Sequence, residues 1–275
     1  MSQKIKACKI TSLQNPHIKE IVRLRSRRYR DERELFLIEG FRELSRALEK
    51  QAPLKSLYFC RDLFLGENED KLIQAAFEMG AEIYDLNISA FEKISYRDRP
   101  DGLLGIAYQT HRLLEELDVL LQDKPNPFLL VVEALEKPGN LGSIIRSADG
   151  AGVDAIIVCD KGTDIHNPNV IRSSIGTFFS VPLVEASSEE ALPFLKSRHI
   201  PVVAATPSAK KMYTELDYSG PVAFAVGREQ IGLSAMWMQQ ADRHIRIPMH
   251  GIADSLNVSN AATLLLYEVV RQRRL

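Results

Sequence analysis

The sequence predicts an α/β protein with two domains, each built from a sheet flanked by helices. Two continuous apolar runs, at 128–132 and 222–226, indicate strands buried on both faces, which is typical of a mostly parallel sheet. Helix-like and strand-like segments alternate along the rest of the chain, as expected for this class. A length of 275 residues also fits two domains, since one domain commonly has about 100–200 residues.

The first predicted domain, at 1–112, begins with an amphipathic helix. Residues 16–28 place apolar side chains on one side of this helix and basic side chains on the other. The later elements are a strand at 35–38, a helix at 40–50, a strand at 54–60, a helix at 69–80, and strands at 82–86 and 103–109.

A linker is predicted at 113–126, because Pro125 and Pro127 favour extended backbone at its end. The second domain, at 127–275, then has the more regular pattern. Its strands are predicted at 128–132, 155–159, 202–205, 222–226 and 245–247, with helices between them and a long final helix at 258–273.

Charge is distributed unevenly between these domains. The formal net charge is −1, which counts against a protein that binds nucleic acid through its overall charge. Residues 1–112 carry a net +3, whereas residues 113–275 carry a net −4. One dense basic segment lies at 19–30 and favours phosphate binding, with a solvated helix face as the alternative. Its candidate RNA-binding residues are Arg23, Arg25, Arg27, Arg28 and Arg30.

Several function classes are disfavoured by the absence of their motifs. The three cysteines form no pair at metal or redox spacing, and the six histidines show no HxxxH or HExxH pattern, so no metal is expected. No apolar run approaches the ~18 residues that a bilayer span requires. Cysteine usage without a disulfide framework favours a cytoplasmic location.

The first segment with candidate chemistry, at 137–152, follows a predicted strand. Asn140 is a good helix N-cap, and an apolar stripe at helical spacing follows it. Arg146 lies off that stripe, and its rigid fork of donors suits a phosphate or a carboxylate. The alternative is an ordinary surface arginine on an amphipathic helix.

Two further segments also follow predicted strands, where ligands bind in open parallel sheets. In the segment at 224–234, two glycines permit a tight loop around Glu229, whose alternative is an exposed loop carboxylate. In the segment at 245–260, Ser255 and Asn257 precede the final helix. Both are competent N-caps, although one cap is enough for one helix.

Together, these three segments resemble the motifs of SpoU-type (TrmH-like) RNA 2′-O-ribose methyltransferases of the SPOUT superfamily. The matching patterns are P-x-N-x-G-x-x-x-R, G-x-E-x-x-G-L and I-P-M…S-L-N-V-S, in the family's order. The segment around His166–Ser174, which contains Arg172, is a fourth likeness, and Arg172 joins the candidate RNA-binding residues. Residues 11–109 resemble the L30e-like substrate-binding domain of rRNA-modifying members, most clearly at 35–40.

The resemblance implies an α/β trefoil knot whose backbone binds S-adenosylmethionine. It also implies a homodimer formed through the knot domain, with RNA as the partner and rRNA favoured over tRNA. The cofactor-binding residues expected by position are Thr206, Gly227, Ile247, Met249 and Leu256.

The resemblance further implies methyl transfer to a ribose 2′-oxygen. The catalytic residues that it indicates are Arg146, Asn140, Glu229, Ser255 and Asn257. A guanidinium, with a pKa above ~12, is a poor base, so Arg146 is interpreted as a phosphate ligand that steadies a developing alkoxide. The other four residues are expected to shape the pocket.

One departure from the family pattern is Lys137, where Asp or Asn is usual, and it is expected to alter the edge of the substrate pocket. Two alternatives stay open at this point: a tRNA 2′-O-methyltransferase of the same family, and a catalytically silent RNA-binding protein on the same scaffold.

Overall fold

The structure is a computed structural model that describes residues 5, 7–160 and 162–273. The chain forms two compact units, and neither is one continuous stretch of sequence. The first unit combines residues 1–110 with residues 166–180, and the second combines residues 111–165 with residues 181–275. The first unit thus takes in a short segment that the sequence places inside the second predicted domain.

The first unit contains a five-stranded mixed sheet in the order β1-β4-β3-β5-β2, with β5 antiparallel to both of its neighbours. Its strands are β1 Cys8–Ile10, β2 Leu35–Glu39, β3 Leu54–Phe59, β4 Glu82–Leu86 and β5 Leu103–Tyr108. Its helices are α1 Pro16–Arg23, α2 Arg27–Arg33, α3 Phe41–Glu49, α4 Glu69–Glu78, α5 Ile88–Ile94 and α8 Pro168–Ser173.

The basic segment of this unit forms two helices rather than the single predicted helix. Asn15 caps α1 by accepting a hydrogen bond from the backbone N–H of His17 at 2.9 Å. The chain then breaks after α1, and the buried Arg30 guanidinium donates to the carbonyls of Leu24 and Arg25 at 2.9 and 2.8 Å. Arg30 therefore satisfies the carbonyls that the break releases, and a periodicity argument that treats arginine as a surface residue misses this role.

Residues 166–180 belong to the first unit because they cover the face of β2. The ring of Phe36 lies 4.8 Å from that of His166 and 5.9 Å from that of Phe178, measured between ring centroids. Arg46 of α3 donates a hydrogen bond to the carbonyl of Ile175 at 2.6 Å. Aromatic packing and this hydrogen bond hold the segment against residues that lie about 130 positions earlier in the chain.

The second unit contains a seven-stranded sheet in the order β10-β12-β9-β11-β6-β7-β8, in which every pair is parallel. The predicted parallel α/β class is therefore confirmed. Its strands are β6 Phe128–Glu133, β7 Ala155–Cys159, β8 Leu183–Ala186, β9 Val202–Ala205, β10 Lys211–Met212, β11 Val222–Val226 and β12 Arg243–Arg246. Its helices are α6 Leu114–Leu121, α7 Pro138–Ala151, α9 Ser188–Ser197, α10 Ala235–Gln240 and α11 Val258–Arg273.

The predicted linker contains the helix α6, which packs on the core of the second unit. Leu117 and Leu121 are buried in that core, with Leu114 packed against it. Their spacing at i, i+3 and i+7 is that of one helix face. The two prolines restrict only the residues after the helix, so the interpretation of the whole of 113–126 as linker was too broad.

The order of the last strands creates a crossing at the carboxyl end of the sheet. β12 lies between β9 and β10, although β9 and β10 are consecutive in the chain. Ile245 of β12 pairs with Ala205 at the end of β9 and with Lys211 at the start of β10. The connection formed by residues 206–210 therefore crosses over the end of β12. The segment that leaves β12 therefore passes the 206–210 connection on its way to α11, as the expected knot requires.

Within the described residues, no helix has both the length and the apolar content needed to cross a membrane.

Candidate functional site

A cavity of about 530 Å³ lies at the carboxyl ends of β9, β11 and β12. Loops that follow these three strands form its walls, together with the start of α11. All five residues expected to bind the cofactor line it: Thr206, Gly227, Ile247, Met249 and Leu256. Its volume falls within the ~300–1,000 Å³ of typical small-molecule sites.

The loop after β11 forms one wall of the cavity and depends on a glycine. Arg228 and Gly232 exchange two backbone hydrogen bonds, at 3.1 and 2.9 Å, and these close the loop tightly. A Cβ atom at Gly227 would lie 2.3 Å from the carbonyl carbon of Gly232 and 2.4 Å from the backbone nitrogen of Leu233. Backbone approaches this close are available only to a residue without a side chain.

Three side chains from the three sequence segments meet beside this cavity, and we call them the asparagine–glutamate cluster: Asn140, Glu229 and Asn257. The Asn140 amide nitrogen donates to Glu229 Oε1 at 2.7 Å. The Asn257 amide nitrogen donates to Asn140 Oδ1 at 3.1 Å. The side chain of Asn140 therefore joins α7 both to the loop after β11 and to the start of α11.

The carboxylate of Glu229 is stabilised in its charged form. Partial burial alone raises the pKa of Glu229, but hydrogen bonds from the Asn140 side chain and from backbone N–H groups outweigh it and hold the pKa below its ordinary value. One of these backbone bonds comes from Glu136 at 3.4 Å. Glu229 is thus ionised at neutral pH and is an acceptor, not a proton donor.

Asn257 performs two tasks at once. Its Oδ1 accepts hydrogen bonds from the backbone N–H of Ser259 at 2.9 Å and from the Ser259 hydroxyl at 2.6 Å, so it caps α11. Its amide nitrogen meanwhile serves the asparagine–glutamate cluster. From the sequence, capping the helix and shaping the site were alternative roles, and the Asn257 side chain performs both. Ser255 lines the cavity.

Arg146 is not brought to the asparagine–glutamate cluster within one chain. It lies on α7, its side chain is exposed, and no hydrogen bond or ion pair joins it to another described residue. A hydrogen bond at 2.7 Å between the Ser147 and Thr263 hydroxyls instead fastens its helix to α11. The guanidinium is consequently available to a ligand or to another chain.

Lys137, the departure from the family pattern, lies on the wall of the cavity.

Glu133 is a residue near the site that the sequence did not single out. This buried carboxylate ends β6, and its Oε2 accepts a hydrogen bond from the backbone N–H of Ser234 at 2.7 Å. It therefore anchors the far end of the loop that carries Glu229. The available signal was an acidic residue directly after the apolar run 128–132, since a charge in a buried strand needs a partner.

The six candidate RNA-binding arginines lie in different environments. Arg23, Arg25, Arg27 and Arg28 are exposed on or between α1 and α2, and Arg172 is exposed on α8. The prediction that Arg30 binds RNA was wrong, because its side chain is only 1% exposed and donates its hydrogen bonds to backbone carbonyls. No group of three or more His, Cys, Asp or Glu side chains in the described part of the chain is arranged to hold a metal ion.

Two parts of the chain match known protein families. Residues 127–267 match the SpoU rRNA Methylase family, and residues 15–105 match the MRM3-like substrate binding domain. A 23S rRNA (uridine(2479)-2′-O)-methyltransferase of Streptomyces viridochromogenes is 32% identical over 86% of this chain and 83% of its own. The 23S rRNA (guanosine(2553)-2′-O)-methyltransferase RlmP of Bacillus subtilis is 27% identical over 94% and 98%.

Solved structures agree with these matches. A crystal structure described as an RNA 2′-O ribose methyltransferase has a TM-score of 0.83 and 42% identity, and the match covers 97% of this chain and all of that one. An AdoMet-bound rRNA methyltransferase from Sinorhizobium meliloti has a TM-score of 0.86 and 29% identity, covering 96% and 98%.

Proposed function

Since this chain belongs to the SpoU rRNA methylase family, we propose that it transfers a methyl group from S-adenosylmethionine to a ribose 2′-hydroxyl in ribosomal RNA. The observation that carries the proposal is the meeting of three distant segments at one cavity, joined by the asparagine–glutamate cluster. Relatives of similar length are named as 23S rRNA 2′-O-methyltransferases, which favours rRNA.

The cavity has the features that S-adenosylmethionine requires. It is large enough for a nucleoside-sized ligand, and the bare backbone at Gly227 and apolar side chains such as Ile247 and Leu256 line it. Thr206 and Met249 contribute from the neighbouring loops. When bound, S-adenosylmethionine supplies a methyl group that is already activated by its positively charged sulfur.

The residues of the chain then have to orient the ribose, whose 2′-oxygen takes the methyl group as the carbon–sulfur bond breaks, while the hydroxyl proton passes to the RNA phosphate that Arg146 holds. Arg146 binds an RNA phosphate and stabilises the negative charge that develops on the 2′-oxygen, because a guanidinium is a strong donor and a poor base. Asn140, Glu229 and Asn257 hold the pocket in shape, and Ser255 lies at its edge. Fixing the hydroxyl in line with the donor contributes much of the rate enhancement.

A methylation assay with labelled S-adenosylmethionine tests this proposal directly. We expect labelling of rRNA, and no labelling of an rRNA fragment that carries a 2′-deoxy substitution at the target nucleotide, since the hydroxyl itself is the acceptor. Labelling of tRNA but not rRNA would support the tRNA alternative. Binding of RNA without labelling of any RNA would support the silent RNA-binding alternative.

We further propose a homodimer formed through the second unit and a cytoplasmic location. Arg146 is exposed and has no hydrogen bond or ion pair to another residue that the structure describes, which supports an active site completed by a second copy. The three free cysteines support a reducing compartment. Light scattering tests the dimer. A sharper test mixes the two impaired variants Arg146→Ala and Asn140→Asp. Activity above that of either variant alone is expected on mixing if the two residues act across the interface, and no such gain would contradict this arrangement.

A further inference from the structure

Tyr96 is an exposed aromatic side chain that the structure holds in a fixed position. It follows α5 in the first unit and is 38% exposed. The Asn169 amide donates to its hydroxyl at 2.9 Å, and its backbone N–H donates to Glu39 at 2.8 Å. An exposed ring that is fixed at both ends presents a flat face to solvent at little entropic cost on binding.

The carboxylate beneath Tyr96 is fully engaged with the protein. Besides the Tyr96 backbone, the buried Glu39 accepts from the Ser95 hydroxyl at 2.6 Å and from the backbone N–H of Arg97 at 3.4 Å. Glu43 is likewise buried and pairs with Arg97 at 2.8 Å. Both carboxylates are thus bound to donors of the protein itself, and Glu39 also lines the hollow beside the ring.

Two basic side chains lie near Tyr96. The Arg25 guanidinium donates to the carbonyls of Lys93 at 3.1 Å and Ser95 at 2.5 Å, which places it beside the backbone that leads into Tyr96. Arg172 of α8 lines the same small hollow as Tyr96. The exposed charges of the surrounding chain balance, with Glu92 and Asp98 against Lys93 and Arg99, and Arg25 and Arg172 add two basic side chains to them.

We propose that Tyr96 is a stacking platform for an unpaired base of the RNA substrate, with Arg25 and Arg172 contacting the flanking phosphates. This deepens the proposed function and rests on it, because it assigns the first unit a specific contact with that same RNA. Unpaired bases stack on tyrosine, and arginines bind the adjoining phosphates, in proteins that recognise single-stranded RNA. Duplex RNA keeps its bases stacked internally and offers no free face to such a platform.

The test uses the full chain, a 12-nucleotide single-stranded RNA and a duplex of the same length, with binding followed by fluorescence anisotropy at one salt concentration. Tyr96→Ala is expected to weaken single-strand binding about tenfold and duplex binding much less. Tyr96→Phe keeps the ring and is expected to bind within about threefold of wild type. Tyr108→Ala is the matched control, since Tyr108 is an exposed tyrosine at the end of β5 in the same unit. Single-strand binding by Tyr96→Ala within twofold of wild type would overturn the proposal.

The arginines provide a second, independent measurement. Arg172→Ala is expected to lower the slope of log K against log salt by about one, as for the loss of one phosphate contact. Arg42→Ala, on the exposed side of α3, is the control and should leave the slope unchanged. An unchanged slope in Arg172→Ala would remove that residue from the platform.

The platform and the proposed function fail in distinguishable ways. S-adenosylmethionine binding and thermal melting of each variant report on the second unit and on folding, and both should match wild type. If the wild type methylates rRNA while Tyr96→Ala binds single strands normally, the platform is wrong and the function stands. If Tyr96→Ala loses single-strand binding while the wild type methylates no RNA, the platform stands as an RNA site and the function is wrong.

Discussion

Asn140 and Arg146 lie on the same helix, α7, and yet they have opposite environments. Asn140 makes side-chain hydrogen bonds to Glu229 and Asn257, which come from two other segments. Arg146 is exposed and has no described partner. At about 100° per residue, six positions place the two side chains on different faces of the helix.

This difference separates a part of the site that is formed within one chain from a part that is not. The asparagine–glutamate cluster is complete within one chain, so its geometry exists before any ligand arrives. Arg146 has no such support and acquires its geometry only from what it binds. The cluster is therefore expected to affect folding and chemistry together, whereas Arg146 is expected to affect chemistry alone.

The largest effect expected from this comparison is that of Arg146→Ala. Methylation should fall about 1,000-fold or more, as for the loss of a donor to a developing oxyanion. The S-adenosylmethionine Kd and the melting temperature should stay near wild-type values, since the side chain has no hydrogen bond or ion pair to another described residue to lose. Labelled methyl transfer, calorimetric titration and thermal melting measure the three quantities. Near-normal turnover would remove Arg146 from the chemistry.

The next effect concerns the preformed cavity. Gly227→Ala places a Cβ 2.3 Å from the backbone of Gly232, so the loop must move, and S-adenosylmethionine affinity should fall about 100-fold. Gly220→Ala is the matched control, because no atom of the described residues, apart from its own chain neighbours, lies within 4 Å of its added Cβ. Calorimetric titration of both variants checks this, and equal affinities would show that the tight loop is not needed for cofactor binding.

Asn140→Asp breaks the asparagine–glutamate cluster with almost no change in shape. It sets a second carboxylate against Glu229, because in the wild-type protein the Asn140 amide nitrogen lies 2.7 Å from Glu229 Oε1. Repulsion between the two charges should lower methylation about 100-fold. The double variant Asn140→Asp, Glu229→Gln restores a donor–acceptor pair of reversed direction. Its turnover in the methylation assay should recover part of the loss. No recovery would indicate that the charge of Glu229 matters more than the hydrogen bond.

The smallest effect is the pH dependence of Glu229. Since its pKa in the folded protein is lowered, the carboxylate stabilises the fold above its ordinary pKa of 4.5, and this contribution is lost as the pH falls through the folded pKa. Glu229→Gln should melt about 2–4 °C below wild type at pH 7, and the gap should close as the pH falls from 4.5 through the lowered pKa of Glu229. Melting curves between pH 3 and pH 7 check this, and a gap independent of pH would contradict the assignment.

The sequence predicted those parts of the fold whose signal is local. The apolar runs at β6, β7, β9 and β11 identified the core of the second sheet, and the four strands have bounds within one residue of those expected. Each of the three site segments was expected near a ligand because it follows a strand of a parallel sheet, and Asn140, Glu229 and Asn257 from these segments do meet.

Features that depend on distant partners could not be predicted in this way. The burial of Arg30 depends on where the helix breaks, and its charge alone indicates a surface position. The two-residue strand β10 is too short to have a periodicity. The placement of 166–180 against Phe36 follows from aromatic packing between segments far apart in the chain, which no local pattern records.

The discontinuous first unit has a consequence for synthesis. Phe36 is 2% exposed in the finished protein, yet the helix and rings that cover it belong to a segment made about 130 residues later. At ~5–20 residues per second, that delay is on the order of 10 s. During it, β2 lacks its cover, so the nascent first unit exposes apolar surface to chaperones or to aggregation until residue 180 has left the ribosome.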